Sequence, residues 1–418
     1  MRAVEPFRRS SLPVDVVKRI IDAAVARGIT VLSFTGGEPL LLMDDLAALI
    51  QYATEAGIEY VRTGTNGYLF ADPKSPRFEA RVARIADTLA GAGLRNFWIS
   101  IDSADASVHE EIRGFPGVIE GIRKALPLFH ERGLYPTANL GINRDAGGRA
   151  PTDLHLSPDQ GSRSSREEFT NHFRRAFERF YEFVIDLGFT LVSSCYPMSL
   201  GEKATHGNLG SVYAVESSDR LVSFSTEEKA MLYEALLDTI PRYRSRIRIF
   251  SPRSALYTLI NEKRQSEHIS YRCRGGSQFF FIDATAGDTY PCGYRGNENL
   301  GKLWQFMDST LKADAPCTRC DWECFRDPSI ILGPFVMAAT HPLVLAKTVL
   351  RDRLFFKLWR EDIRYYRACD FFDGRKAPDY SNLNRFAEGC SDTSTLPSET
   401  AFRTLPETWT KRPLSARG

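Results

Sequence analysis

The sequence predicts an α/β protein built on an open, partial β/α barrel, and three observations carry that reading. Short apolar runs alternate with stretches of helical periodicity between Ile29 and Phe250, the pattern of a mainly parallel sheet with right-handed crossovers. No G-x-G-x-x-G follows any of these strands, which argues against a dinucleotide-binding sheet. A closed (β/α)8 barrel needs more units than are present.

In chain order, "PVDVVKRIIDAAVARG" (13–28) sets Val14, Val17, Ile20, Ile21 and Val25 on one side of a helix that Gly28 can stop. "ITVLSF" is the first strand. Helical periodicity returns from Leu42 to Gly57 and "EYVRTGT" is the second strand. A helix over 78–91, the strand "NFWISID", a helix over 117–132 and the strand "YPTANLGI" repeat the unit. Helices over 166–186 and 226–239 precede the strands "FTLVSS" and "RIRIF". After residue 260 the pattern changes. "GSQFFFIDATAGDTYPCG" reads as two antiparallel strands turning at Ala286-Gly287-Asp288, and from "DPSIILGP" the chain is mostly helical to residue 368. The polar stretches 143–166 and 201–220, which carry His155 and His206, read as surface loops or as lids over the strand ends. The final 30 residues read as a loosely held tail. Three regions result: 1–255, 256–330 and 331–418.

Composition bounds the partners. With 43% hydrophobic and 25% charged residues the chain is of the folded kind, and a net charge of +2 gives no case for nucleic acid. The start lacks a signal-peptide core and no run is long enough to span a membrane, so the expected location is the cytoplasm. The basic, aromatic-rich region 341–367 suits either an anionic membrane or another domain, and packing within the chain is the expectation.

Each strand ends in small or polar residues: "TGGEP", "TGTNG", "SIDSAD", "NLGIN", and "LVSS" before Cys195. In a βα fold these ends share one face and can converge on one ligand. Gly36 and Gly37 allow close approach to the backbone, the Glu38 carboxylate can accept from an ammonium group, and Pro39 starts the next helix. Gly-Gly and Pro alone would also fit a structural turn.

"TGGEPLL" at a strand end, "TNG" at 65–67 and "ISIDSADASVHEEIRG" together resemble the radical S-adenosylmethionine (radical SAM) superfamily. The resemblance covers residues 13–250. It implies that Gly36, Gly37, Glu38 and Pro39 meet the methionyl group of SAM, with Thr65, Ser100 and Asp102 nearby. Arg113-Gly114 would shape the following turn, and Asn139 and Asn143 would reach toward ribose or adenine. That family carries C-x-x-x-C-x-x-C after its first strand, whereas the first cysteine here is Cys195. The sequence begins where the family's first helix begins, so the expectation is an N-terminally truncated barrel: a misassigned start, or a protein that has abandoned that cluster.

All eight cysteines lie from Cys195 onward, and short thiol spacings in a chain of this size favour metal ligation over disulfides. Cys273 and Cys292 flank the predicted hairpin, and "CTRCDWEC" follows with Cys317, Cys320 and Cys324. By spacing alone, four thiolates suit either tetrahedral zinc or a [4Fe-4S] cluster. "CRGG" together with "GDTYPCGY" and "NLGKL" resembles the SPASM or twitch auxiliary-cluster domain, which makes Cys273, Cys292, Cys317 and Cys320 the implied ligands, with Cys324 able to replace one.

The resemblance implies an iron–sulfur oxidoreductase or modifying enzyme. It would use a 5′-deoxyadenosyl radical from SAM on a peptide or small-molecule substrate, with an electron donor such as flavodoxin or ferredoxin. The chain as it stands is expected to be inactive. The alternative is a non-catalytic iron–sulfur or zinc binding subunit.

Overall fold

The computed structural model describes residues 11–151, 163–197, 220–305, 317 and 320–387. Residues 152–162 of the first polar loop and 201–219 of the second, with His155 and His206, and the C-terminal tail with Cys390 lie outside the described residues.

Six parallel strands form one sheet in sequence order: β1 (Val31–Phe34), β2 (Tyr60–Thr65), β3 (Asn96–Ile101), β4 (Thr137–Gly141), β5 (Leu191–Cys195) and β6 (Arg248–Ile249). The crossovers are α1 (Val14–Ala26) leading into β1, then α2 (Met43–Glu55), α3 (Phe78–Gly91), α4 (Ala106–Arg113), α5 (Val118–His130), α6 (Arg163–Leu187) and α7 (Thr226–Tyr243). Alternation along each strand divides the sheet. Val61, Phe97, Ile99, Ala138, Leu140 and Val192 are buried in the main core, while Arg62, Trp98, Ser100, Asn139, Ser193 and Cys195 form a half-buried, mostly polar row on the other face. An α/β sheet with this order matches the expected partial barrel.

Two helices were not expected. Asp105 caps α4 by accepting from the N–H groups of Ser107 and Val108, and Gly114 ends it in the left-handed region, so "ASVHEEIR" is a short helix rather than a loop. After β6, α8 (Arg253–Lys263) packs on α7. The hairpin is present but short, as β7 (Phe281–Ile282) and β8 (Thr289–Tyr290). Helices α9 (Glu323–Thr340), α10 (Pro342–Arg351) and α11 (Arg353–Ala368) follow, then the short α12 (Tyr380–Leu383).

The region after 331 closes the barrel's lower side rather than trailing from it. Tyr365, Cys369, Phe372 and Leu383 belong to the main core. The Tyr365 hydroxyl accepts from Ile249 N–H at 2.9 Å, and Gly374 exchanges backbone bonds with Arg95 and Tyr135 at 2.8 and 2.7 Å. Buried Asp362 accepts from Arg244 Nη2 at 2.6 Å, Ser254 N–H at 2.8 Å and Arg253 N–H at 3.1 Å, joining α11 to α7 and α8.

Asp362→Ala leaves the Arg244 guanidinium buried with half of its partners. The expected cost is about 3 kcal/mol, read as a lower urea midpoint. A loss below about 1 kcal/mol would mean that this pair does not hold α11 in place.

Candidate functional site

At the end of β1, Gly36 (φ +94°) and Gly37 (φ +47°) adopt a conformation that side chains disfavour, and a Cβ at either would meet nothing within 4 Å. They are exposed, and leave an open cradle of backbone beside Glu38. The Glu38 carboxylate accepts from Asn66 N–H at 2.7 Å and Leu40 N–H at 3.2 Å, and from the Thr65 hydroxyl, tying the ends of β1 and β2 together. Burial raises its pKa against those bonds. A carboxylate offers about four acceptor positions, so room for one further donor remains. Pro39 opens the 3-10 turn that leads into α2.

Ser100 and Asn139 are register partners on the inner face, and Asn139 pairs in turn with Ser193. The Asn139 side-chain oxygen accepts from Ser193 Oγ at 2.8 Å and Cys195 Sγ at 3.4 Å. Asp102 is occupied differently. Burial opposes its charge, yet the Arg113 guanidinium, 2.5 and 2.7 Å away, holds it below the ordinary carboxylate range. His109 Nδ1 accepts from Asp102 N–H at 3.0 Å, and burial lowers this imidazole to about 4. Asn143 is likewise spent: its amide donates to the carbonyls of Asp102 and Gly141 and its oxygen accepts from Asp145 N–H. Asp102, His109, Arg113 and Asn143 therefore lock the turns after β3 and β4.

A group that no sequence spacing announced stands at the end of β5. Glu323, the first residue of α9, accepts from Tyr196 N–H at 3.2 Å and from Cys324 Sγ at 3.5 Å, with the Cys195 thiol beside it. Burial pushes the Glu323 carboxyl up to about 7. The Tyr196 hydroxyl donates to Asp327 Oδ2 at 3.1 Å.

The predicted ligand set divides. Cys273, Cys292, Cys317 and Cys320 line one enclosed cavity with Gly275, Arg295, Trp322, Phe325 and Arg326. Cys324 does not line it and turns to Glu323 and Cys195 instead. Cys273 N–H donates to the Cys317 carbonyl at 3.1 Å, which places two of the four side by side. Three of the sulfurs accept from the N–H two residues on: Cys273 from Gly275, Cys292 from Tyr294 at 3.4 Å, and Cys320 from Trp322. "CRGG" is needed for this closeness, because a Cβ on Gly275 would lie 2.8 Å from the Pro291 carbonyl oxygen. Burial raises the thiols of Cys273, Cys292 (to about 11) and Cys320, so a metal would have to displace protons here. Among the described residues no three such side chains converge on a single ion.

Residues 3–143 match the family described as the radical SAM superfamily. An AdoMet-dependent heme synthase of Nitratidesulfovibrio vulgaris is 30% identical over 142 residues, 34% of this chain and 35% of that protein. One from Methanosarcina barkeri is 28% identical over 200 residues, 44% of this chain and 54% of that protein. A GTP 3',8-cyclase of Vibrio atlanticus is 35% identical over 126 residues, 29% of this chain and 34% of that protein. The chain thus spans between about a third and about half the length of these relatives.

The His109 shift sets a pH dependence. An imidazole held at about 4 when folded, against about 6.5 unfolded, binds its proton more readily in the unfolded chain. Its stabilisation is present above the unfolded value and is lost as pH falls from 6.5 toward 4. Urea midpoints should drop across that window in the parent and drop less in His109→Gln. Equal slopes would contradict a neutral, buried His109.

Proposed function

We propose that this chain is the SAM-binding and auxiliary-cluster part of a radical SAM-type iron–sulfur oxidoreductase or modifying enzyme acting on a peptide or small molecule. The observation that carries the reading is the open Gly36-Gly37 cradle beside a carboxylate with one acceptor position left, inside the segment that matches the family. The heme synthases and GTP cyclases differ in what they act on, so neither substrate is carried over.

SAM, when bound and reductively cleaved, supplies a 5′-deoxyadenosyl radical able to remove hydrogen from an unactivated carbon. This chain's part is to place it. Glu38 would accept from the methionyl ammonium, and the open Gly36-Gly37 backbone beside it would let that group approach closely. Ser100 and Asn139 offer polar edges to the nucleoside along the inner face. Glu323, with a carboxyl near neutrality, stands where it can take or give a proton on the substrate side.

The four cavity-lining cysteines suit a [4Fe-4S] cluster. Their sulfurs line one shared space, and four thiolates around such a space can hold a four-iron centre. The three N–H···S bonds stabilise thiolates. An electron donor such as flavodoxin or ferredoxin would reduce the system. Cys195 is the first cysteine of the 418 residues, so these residues do not include the thiolates of a SAM-chelating cluster.

Three outcomes test this. In calorimetry, SAM should bind the chain weakly, and Glu38→Ala should bind it at least about tenfold more weakly through loss of a charge-assisted bond; equal affinities would remove Glu38 from the site. Anaerobically reconstituted protein should hold about four irons and four sulfides, lost in Cys320→Ala and kept in Cys324→Ala. One zinc without sulfide would replace the cluster by a structural ion. Under dithionite, the 418-residue chain should form no 5′-deoxyadenosine beyond background; multiple turnovers would show that another site opens an iron to SAM.

A further inference from the structure

Helix α10 buries none of its residues, although "PLVLAKTVLR" is mostly apolar. Leu343 is 80% exposed, Leu350 67% and Leu354, in the first turn of α11, 51%. Leu343, Lys347 and Leu350 stand at i, i+4 and i+7 and share one side of the helix. The other side is the attached one: Leu345 packs against the cluster containing Tyr271, Ile330 and Phe355, and Thr348 approaches Met337 Sδ at 3.9 Å. The region that sequence assigned to packing within the chain therefore divides in two. Phe355, Phe356 and Leu358 of α11 are buried, while α10 turns its leucines outward.

The charge beside those leucines has one sign. Lys347, Arg351, Arg353, Lys357 and Arg360 are all exposed. The acid among them, Asp352, is buried as the N-cap of α11, where it accepts from Phe355 N–H at 3.0 Å. Glu267, on the neighbouring loop, meets Arg351 at 3.3 Å and offsets part of that one charge. We propose that α10 with the first turn of α11 is a docking surface for an anionic lipid bilayer. The leucines enter the boundary between headgroups and acyl chains, and the lysine and arginine stems reach back to the phosphates. A second copy of the chain is a poorer occupant, because self-complementary pairing of this face sets basic side chains against their like. The surface lies outside the SAM and thiol sites and does not depend on how they are read.

Flotation of the full 418-residue chain with phosphatidylcholine vesicles, with and without phosphatidylglycerol, tests the assignment. At low salt the chain should float with the phosphatidylglycerol vesicles and not with phosphatidylcholine alone, and added salt should weaken the association. Leu343→Glu combined with Leu350→Glu should weaken it by about tenfold or more with an unchanged melting temperature, since neither side chain is packed. Lys347→Gln combined with Arg351→Gln, which keeps the leucines, should weaken it by about tenfold. Three results would each overturn the proposal: no flotation with phosphatidylglycerol vesicles, undiminished flotation of both variants, or a dimer in buffer that the leucine variant dissolves.

Discussion

The geometry of the candidate centre depends on one buried carboxylate. Asp321 lies between Cys320 and Trp322 and accepts from Lys229 Nζ at 3.0 Å and the Tyr233 hydroxyl at 2.6 Å, with Lys263 Nζ at 3.4 Å. Burial opposes its charge, yet these partners lower it to about 2. Lys229 and Tyr233 belong to α7 and Lys263 to α8, so the barrel's own helices fix the main chain at Cys320. Arg326 repeats the device, pairing with Glu262 of α8 while donating to the Cys317 carbonyl at 3.4 Å. The hairpin could not do this alone. Two two-residue strands with a small cluster around Cys292, Tyr294 and Trp322 bury too little to stand by themselves.

Fixing Cys320 has a second effect. The chain enters α9 immediately afterwards, and its first two residues, Glu323 and Cys324, face the end of β5. The thiol cavity and the Glu323–Cys195 group therefore sit on either side of one short segment. Whatever holds Cys320 also sets where Glu323 stands relative to Asn139 and the inner row. The positions of the thiol cavity and of Glu323 are coupled through residues 320–324.

Sequence periodicity located all six strands and most crossovers because long amphipathic helices and buried runs carry strong local signals. It missed α4, whose eight residues are too few to show a period and whose existence rests on the Asp105 cap and Gly114. The glycine cradle was legible because only glycine suits those backbone angles. The thiols were legible as a cluster in the sequence but not in their grouping around the cavity: C-x-x-C spacing cannot reveal that Cys324, once α9 begins, turns to Glu323. Asp102 and Asn143 looked available for a ligand, and only tertiary structure shows them bonded to Arg113 and to backbone. Glu323 had no local signal at all, since its partner Tyr196 is 127 residues away.

In the proposed function, four protein thiolates close around one iron–sulfur centre, with the main chain at Cys320 held by Asp321. Low-temperature electron paramagnetic resonance of the dithionite-reduced, anaerobically reconstituted chain tests this directly, recorded with and without SAM. The account predicts a reduced [4Fe-4S] signal whose shape SAM does not alter, because a cluster held by four thiolates has no iron left open. A reduced protein with no such signal, or one reshaped by SAM, would contradict it.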